Sequence, residues 1–367
     1  MGEKQSENSI LGLRSESNPK SKTCPFDKLR AGSEPCRRIQ NLKWSGIVAI
    51  GVAFATCGAV VQAQQPRKVP HIGVLIALSP SAISDYIEAF RQGLRELGYV
   101  EVKNIVLEYR SAEGKFDRLS ELAAELVRLK VDVIVTGGPT ATRPAKEATN
   151  TIPIVMAQDS DPVGNGFIAS LASPGGNITG LATLSSELSG KQLELLKEII
   201  PKLSRVAVFG NSTEPGNAQA LKETELAAGA FGVKFQYLNV RSPKDIETAF
   251  RDASKGRADA VLVLSSPVAT SHRARIADLA EKSRLPTMHQ VGGFVEAGGL
   301  VTYGVSIADL WRRSATYVDK ILKGRKPADL PVEQPTKFEF IINLKAAKQI
   351  GVTIPPNVLA RADRVIK

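Results

Sequence analysis

The strongest constraint on this chain is an alternation of short apolar runs with amphipathic segments that begins near residue 69. Residues 71–78 read HIGVLIAL, a nearly continuous apolar run that is typical of a parallel strand buried on both faces. Residues 84–97 repeat apolar side chains at helical spacing, and Gly98 follows as a C-terminal stop signal. The alternation predicts strands at 71–78, 105–109, 131–136 and 152–157, and helices at 84–97, 116–129 and 140–149.

A second segment repeats this order of elements without repeating the residues. The first and third strands are 59 residues apart in the first half (Val74 to Val133) and 55 apart in the second (Val206 to Val261). Strands that alternate with helices favour parallel sheets with right-handed crossovers. We therefore expect an α/β fold of two doubly wound, Rossmann-like lobes. The second half is predicted to contain strands at 206–209, 233–240, 260–264 and 286–289, and helices at 217–231, 245–254 and 272–284.

The C-terminal part is expected to connect the two lobes through a three-crossing hinge, near Leu181, Tyr303 and Pro335. The elements predicted for these connections are an extended segment at 178–184, a strand at 299–304, a helix at 307–322, a loop at 331–343 and a terminal helical stretch. The expected boundaries are 67–181 plus 304–333 for lobe 1, and 182–303 plus 334–367 for lobe 2.

The N-terminal segment has a different composition from the rest of the chain. Residues 1–36 are polar and lack an apolar period, which predicts a disordered leader or a mis-assigned translation start. Residues 37–63 begin with two arginines, continue into the apolar run 44–61 and end at Ala63. A basic start, an apolar centre and a small residue at the end are the parts of a secretory signal peptide. We expect cleavage after Ala63 and export to the periplasm.

Two alternatives stay open for this segment. The apolar run could anchor the chain in a membrane, because it approaches the length of about 18 residues that a spanning helix needs. Cys57 could carry a lipid, although the sequence FATC at 54–57 fits a lipidation signal poorly. All three cysteines (Cys24, Cys36 and Cys57) precede Ala63, so the mature chain would hold no disulfide and no thiolate metal site.

Charge and motifs argue against nucleic-acid binding and against catalysis. The net charge is +11, but residues 1–63 hold nine Lys/Arg and five Asp/Glu, which leaves 39 basic and 32 acidic residues, or +7. The basic residues are scattered, with few aromatic residues between them. Neither a phosphate-binding loop nor a Gly-x-Ser-x-Gly elbow occurs, and His71, His272 and His289 stand alone in the sequence. We expect no enzyme activity, no metal and no cofactor.

Six loops at the carboxyl ends of the predicted strands are the expected ligand site. In open parallel sheets, ligands bind at these ends, where helix N-termini offer N–H groups. The loops are rich in Ser, Thr, Asn and Gly, which suit a small polar ligand, and two facing lobes can close around it. The loops are 77–84, 137–142 and 158–163 in the first half, and 210–216, 265–271 and 289–293 in the second.

Residues 159–180, DSDPVGNGFIASLASPGGNITG, form a long segment with no sustained helical or strand period. Long loops inside compact domains are uncommon and often functional. We expect residues 159–163 to face the ligand and residues 173–180 to form the turn before the first crossing.

Four segments carry a family resemblance: residues 161–180, 271–286, 294–304 (FVEAGGLVTYG) and 317–356. They resemble the bacterial ABC transporter substrate-binding proteins of the tryptophan/tyrosine-binding-like type, and the resemblance covers about residues 67–367. It implies a type I periplasmic binding protein fold. It also implies a receptor that captures a small solute and delivers it to a permease and its ATPase in the inner membrane. We expect this receptor to be a monomer.

Under this resemblance, the cleft loops are expected to hold an amino-acid-like ligand. The helix start after residue 137 would suit a carboxylate, Asp159 and Asp161 an amine, and Tyr303 an aromatic ring. Residues 265–267, SSP, stand where family members often carry a large aromatic residue, which argues against a large flat ligand. The expected contacts are Ser79, Ser81, Gly138, Thr140, Ala141, Thr142, Asp159, Asp161, Asn211, Glu214, Ser265, Ser266, Pro267, Gln290 and Tyr303.

One other function stays open on the sequence. The same two-lobed fold could serve as a ligand-sensing module for a periplasmic sensor or a regulator. Transcription factors of this fold carry a DNA-reading helix-turn-helix before the lobes, whereas this chain is expected to carry an export signal there.

Overall fold

A computed structural model of the protein describes residues 69–183, 188–214, 216–335 and 337–367. The predicted leader, the predicted signal peptide and all three cysteines lie outside these ranges. The described chain forms two β-sheets that are covered by helices, which confirms the expected two-lobed α/β fold. Within these ranges, no helix combines the length and the apolar character needed to cross a membrane.

The first lobe is built on a five-stranded parallel sheet. Its strands are β1 (His71–Ile76), β2 (Val106–Ser111), β3 (Val133–Gly137), β4 (Ile154–Asp159) and β5 (Ile178–Ala182), in the order β2-β1-β3-β4-β5. The connecting helices are α1 (Ser84–Glu96), α2 (Leu119–Arg128) and α3 (Pro139–Ala148), with short 3-10 helices at Pro80–Ile83 and Phe116–Arg118. Separate apolar cores lie on the two faces of this sheet, because its strands bury side chains on both sides.

The second lobe is built on a seven-stranded sheet. Its strands are β6 (Arg205–Gly210), β7 (Lys234–Asn239), β8 (Ala260–Val263), β9 (Thr287–His289), β10 (Val301–Val305), β11 (Phe338–Asn343) and β12 (Arg364–Ile366), in the order β12-β11-β10-β9-β8-β6-β7. The helices that follow α3 along the chain are α4 (Leu188–Ile199), α5 (Asn217–Ala230), α6 (Pro243–Lys255), α7 (Pro267–Ser271), α8 (Arg273–Ser283), α9 (Gly293–Glu296), α10 (Ile307–Leu322), α11 (Leu344–Ile350) and α12 (Pro356–Leu359). A short 3-10 helix, Pro327–Asp329, follows α10.

Two predictions for the C-terminal part are wrong. Residues 331–343 were expected to be a loop, but β11 forms there and pairs antiparallel with β10, so the second sheet is mixed. The terminal stretch was expected to be helical, which α11 and α12 confirm, but the prediction is wrong for the last residues, where β12 forms and pairs with β11. Both strands exist because each pairs with a strand that is distant along the chain, and a local period does not report such a partner.

The chain passes between the sheets three times. It leaves the first sheet after β5, returns from β10 into α10, and leaves again before β11. Near the first and third passages, the Ala182 N–H donates to the Glu333 carbonyl oxygen at 2.9 Å. These segments lie beside one another, which is the arrangement that a three-crossing hinge requires.

Helix α10 packs on α1 in the first lobe, and Gly93 permits the close approach of the two helices. A Cβ atom at Gly93 would lie 2.1 Å from the Arg312 carbonyl oxygen and 3.0 Å from the Ala315 Cβ. Both neighbours belong to α10, and a backbone atom cannot move without shifting the helix. Gly93 is therefore required by the interface between the two helices.

We expect Gly93→Ala to lower the free energy of unfolding by about 1–3 kcal/mol, because overpacking outweighs the better helix propensity of alanine. The matched control is Gly229→Ala in α5, where a Cβ would meet no atom within 4 Å. That variant should raise the free energy of unfolding by about 0.5–1 kcal/mol. Urea unfolding of both variants measures the difference, and equal effects would contradict the packing argument.

Candidate functional site

A cavity of about 1050 Å³, its open mouth included, lies between the carboxyl ends of the two sheets. The first lobe contributes the ends of β1, β3 and β4 and the first turns of α1, α3 and α10. The second lobe contributes the loops that follow β6, β8 and β9. Ligands of open parallel sheets bind at this position.

The charged side chains on the cavity wall are acidic. Asp159 comes from the first lobe and Glu214 from the second, and no Lys, Arg or His is found among the described lining residues. No group of three or more His, Cys, Asp or Glu within the described ranges could hold a metal ion. The cavity therefore has a negative electrostatic character and favours cationic groups.

Asp159 is the last residue of β4, and its side chain is completely buried. Its Oδ1 accepts hydrogen bonds from the Asn165 side-chain amide at 2.9 Å and from the Asp161 backbone N–H at 3.0 Å. Its Oδ2 has no hydrogen-bond partner among the residues that the structure describes. Burial raises the pKa of Asp159 to about 7, although the two hydrogen bonds lower it. A buried carboxylate oxygen without a donor destabilises the protein unless a ligand supplies one.

Asp161 shapes the turn that follows β4. Its Oδ1 accepts a hydrogen bond from the Gly164 N–H at 2.8 Å, and its carbonyl oxygen accepts one from the Asn165 N–H at 2.8 Å. Arg143 on α3 donates to the Asn165 carbonyl oxygen at 3.1 Å. The turn thereby holds the Asn165 amide against Asp159, so Asp161 orients the buried carboxylate rather than lining the cavity.

Glu214 reaches across the cleft from the second lobe. Its carboxylate accepts a hydrogen bond from the hydroxyl of Thr140, in the first turn of α3. The Asn211 side chain shapes the loop by accepting hydrogen bonds from the N–H and the hydroxyl of Thr213, at 3.0 and 2.8 Å. Burial raises the pKa of Glu214, and the hydrogen bond from Thr140 lowers it. The Glu214–Thr140 pair joins the two lobes at the cavity.

A second approach between the lobes involves Gly216 and Ser160. Gly216 has a φ angle of +82°, and a Cβ atom there would lie 2.4 Å from the Ser160 Oγ. Glycine suits both the positive φ angle and the close approach to Ser160, because it adopts left-handed backbone without strain and carries no side chain.

The apolar wall of the cavity comes mainly from the first lobe. Trp311 of α10 stacks with Tyr86 of α1, with ring centroids 6.4 Å apart and an interplanar angle of 28°. Both residues line the cavity. Burial raises the pKa of Tyr86 to about 12, so its phenol is neutral at physiological pH. These two rings offer an aromatic surface to the apolar body of a ligand.

The loops of the second lobe present a polar wall that is fixed by its own hydrogen bonds. The Ser265 N–H donates to the Gln290 side chain at 3.0 Å. Ser266 is the N-cap of α7 and accepts a hydrogen bond from the Ala269 N–H at 3.1 Å. These bonds hold the loops in one arrangement, which reduces the ordering required on ligand binding.

The structure places eight of the residues expected from the sequence on the cavity wall, and their contact with a ligand stays a prediction. They are Gly138, Thr140, Asp159, Glu214, Ser265, Ser266, Pro267 and Gln290.

The remaining expected residues lie away from the wall. Ala141 and Thr142 point into the packed interior and are fully buried. The Tyr303 ring packs against Phe338 and Phe340 on β11, with centroids 6.2 and 6.1 Å away, so it supports the β10–β11 ladder. Asp161 and Asn211 shape their own loops, and the hydroxyls of Ser79 and Ser81 pair with each other at 3.1 Å near the surface.

Sequence reasoning missed the aromatic wall. Tyr86 lies in the first turn of α1, two residues beyond the loop 77–84 that was expected to face the ligand. Ligands bind at the N-termini of helices, so the first turn of α1, and Tyr86 with it, could have been expected to face the ligand together with this loop. Trp311 carries no comparable signal, because α10 follows a strand of the other lobe and reaches the cavity only by packing on α1.

Comparison with known proteins gives a consistent picture. The family model described as "ABC transporter substrate binding protein" matches residues 71–366. A protein named tyrosine-binding protein, from Clostridioides difficile (strain R20291), is 24% identical over 286 residues, which cover 78% of this chain and 82% of that protein.

Two solved structures resemble the chain over most of its length. A conserved domain protein from Vibrio cholerae O1 biovar El Tor is 28% identical, with a TM-score of 0.77, and the match covers 81% of this chain and 100% of that one. An ABC domain in complex with L-Trp, from Streptococcus pneumoniae, is 27% identical, with a TM-score of 0.73, over 80% of this chain and 100% of that one.

Proposed function

Because this chain belongs to the family of ABC transporter substrate-binding proteins, we propose that it captures a small, amine-bearing, amino-acid-like ligand between its lobes. Asp159 carries the proposal: it lines the cavity, and its buried Oδ2 has no donor among the described residues. A ligand ammonium group supplies both the hydrogen bond and the opposite charge. The tyrosine-binding protein and the structure that holds L-Trp support an amine-bearing ligand.

We propose that ligand capture closes the lobes about the three crossings. The Glu214–Thr140 hydrogen bond and the approach of Gly216 to Ser160 join the lobes at the cavity. Arg273 of the second lobe adds a hydrogen bond to the Ala82 carbonyl oxygen of the first, at 3.3 Å. Contacts of this kind require the lobes to approach, so they would form on closure and favour the closed state.

We propose that the mature protein is an exported monomer that works in the periplasm. It would deliver its ligand to an inner-membrane permease and its ATPase, and release the ligand chemically unchanged. Family membership supports the role in transport, and the predicted signal peptide supports the location.

Ligand-induced stabilisation tests the proposed function. We expect at least one compound from a panel of amino acids and small amines to raise the free energy of unfolding by about 2.7 kcal/mol at a hundredfold excess over its Kd. The radius of gyration from small-angle scattering should decrease with the same compound. Native mass spectrometry of the purified protein would identify a ligand that co-purifies. If no compound stabilises the protein and none co-purifies, the proposal is wrong.

A further inference from the structure

The start of α3 is the place in the cavity where a ligand carboxylate was expected, but it offers few donors. Pro139 is its first residue and has no N–H. The N–H groups of Ala141 and Thr142 donate to the Gly138 carbonyl oxygen, at 3.1 and 3.0 Å. The donors of this turn that remain for an anion are the N–H groups of Gly138 and Thr140 and the Thr140 hydroxyl.

A carboxylate of the protein already stands at this position. The Thr140 hydroxyl donates to Glu214, which comes from the opposite lobe. A negative charge at a helix N-terminus is favourable, so Glu214 is suited to the site electrostatically. A ligand carboxylate at the same place would be a second negative charge in a poorly solvated cavity, where repulsion between like charges is strong.

Among the described residues, no cation on the cavity wall could pair directly with another negative charge. Asp159 and Glu214 line the wall, and no basic side chain does so within the described chain. Two arginines lie nearby, and their charges act on Asp159 and Tyr86 from outside the lining, but their guanidinium groups donate to backbone carbonyl oxygens. Arg143 donates to the carbonyl oxygen of Asn165, and Arg273 to that of Ala82.

From these contacts we infer that the cavity selects an organic amine of net positive charge that lacks a carboxylate. The ammonium group pairs with the Asp159 Oδ2, and the apolar body lies on the wall formed by Tyr86 and Trp311. Glu214 holds the anion position at α3 and excludes the zwitterionic amino acid of the same size. The inference rests on the proposed function, and it narrows the class of ligand.

Matched pairs of compounds test the inference. The pairs are tryptamine with tryptophan, tyramine with tyrosine, agmatine with arginine and cadaverine with lysine, and each compound is titrated calorimetrically at pH 8. We expect the best-bound amine to bind at least about tenfold more tightly than its amino acid, a difference of about 1.4 kcal/mol. An amino acid that binds as tightly as its amine, or more tightly, would overturn the inference and leave the proposed receptor function intact.

Glu214→Gln separates the role of this carboxylate from that of cavity shape. The variant should reduce the preference for the amine over its amino acid by about tenfold, because it removes the repulsive charge and keeps the side-chain size. The control is Glu225→Gln, the same change on the exposed surface of α5, which should leave the preference unchanged. An unchanged preference in Glu214→Gln would overturn the assignment of Glu214.

Native mass spectrometry of the purified protein can detect a bound ligand that is not among these pairs of compounds. A co-purified compound that contains a carboxylate overturns the inference, whereas a carboxylate-free amine supports it. If no compound binds and none co-purifies, the receptor function fails and the inference fails with it.

Discussion

Asp159→Asn should abolish tight ligand binding and, at the same time, make the ligand-free protein more stable at pH 8. The Asp159 carboxylate is fully buried, and its Oδ1 already accepts two hydrogen bonds. In the asparagine variant the amide oxygen can keep those bonds, while its NH₂ group takes the position of Oδ2 and faces the ligand ammonium. Losing one partner of a buried charge pair costs about 2–5 kcal/mol, so we expect affinity to fall by about 30-fold or more.

The gain in stability has a separate cause. Burial raises the pKa of Asp159 from 3.8 to about 7, so holding the carboxylate ionised at pH 8 costs free energy in the absence of a ligand. The neutral amide removes that cost, and we expect a gain of the order of 2 kcal/mol in the free energy of unfolding. Calorimetric titration and urea unfolding measure the two effects.

The neighbouring variant Asp161→Asn is the matched comparison. Its side chain caps a turn through the Gly164 N–H, which an amide oxygen can also do, and it lies outside the cavity lining. We expect its effects on affinity and stability to stay within about 0.5 kcal/mol. Equal losses of affinity in both variants would show that the loop, rather than the Asp159 carboxylate, governs binding.

Affinity for an amine ligand should fall by about tenfold for each pH unit below 7, because the bound ammonium requires Asp159 in its ionised form. Burial, the largest effect, places the pKa of this carboxyl group at about 7. The negative charge of Asp161 raises this pKa, and the positive charge of Arg143 lowers it. Since Glu214 also lines the cavity and burial raises its pKa, its protonation would deepen the loss at lower pH. At pH 5 we therefore expect binding about 100-fold weaker than at pH 8.

The contribution of Asp159 to the stability of the ligand-free protein should fall as the pH rises, whereas ligand affinity rises with pH. A carboxyl group whose pKa is raised on folding stabilises the fold fully below its unfolded pKa of 3.8, and that contribution is lost as the pH rises through about 7. Titrations at several pH values, in buffers of different ionisation enthalpy, would report proton release on binding. The change in the free energy of unfolding that Asp159 causes between about pH 4 and 7 should disappear in Asp159→Asn. Ligand affinity that is independent of pH in the native protein would contradict the pairing.

Local patterns were sufficient for most of the fold. The run predicted as a strand at 71–78 contains β1, and the predicted helix at 84–97 contains α1, because burial on both faces and a 3.6-residue period are visible in neighbouring residues. The strands β11 and β12 were missed because pairing between distant segments creates them. In the cavity, sequence reasoning grouped Thr140 with Thr142, but the rotation of α3 directs one side chain to the cleft and buries the other.

The residue pattern alone was enough to predict two α/β lobes with a candidate site at the carboxyl ends of the strands. These properties depend on periodicity and strand polarity, which are local. The packing of the two lobes was needed to show that the Asp159 Oδ2 has no donor among the described residues, that Trp311 lines the cavity, and that Glu214 stands at the start of α3. Glu214 and Thr140 are 74 positions apart, and the packing of two lobes, rather than any nearby residue, brings their side chains together.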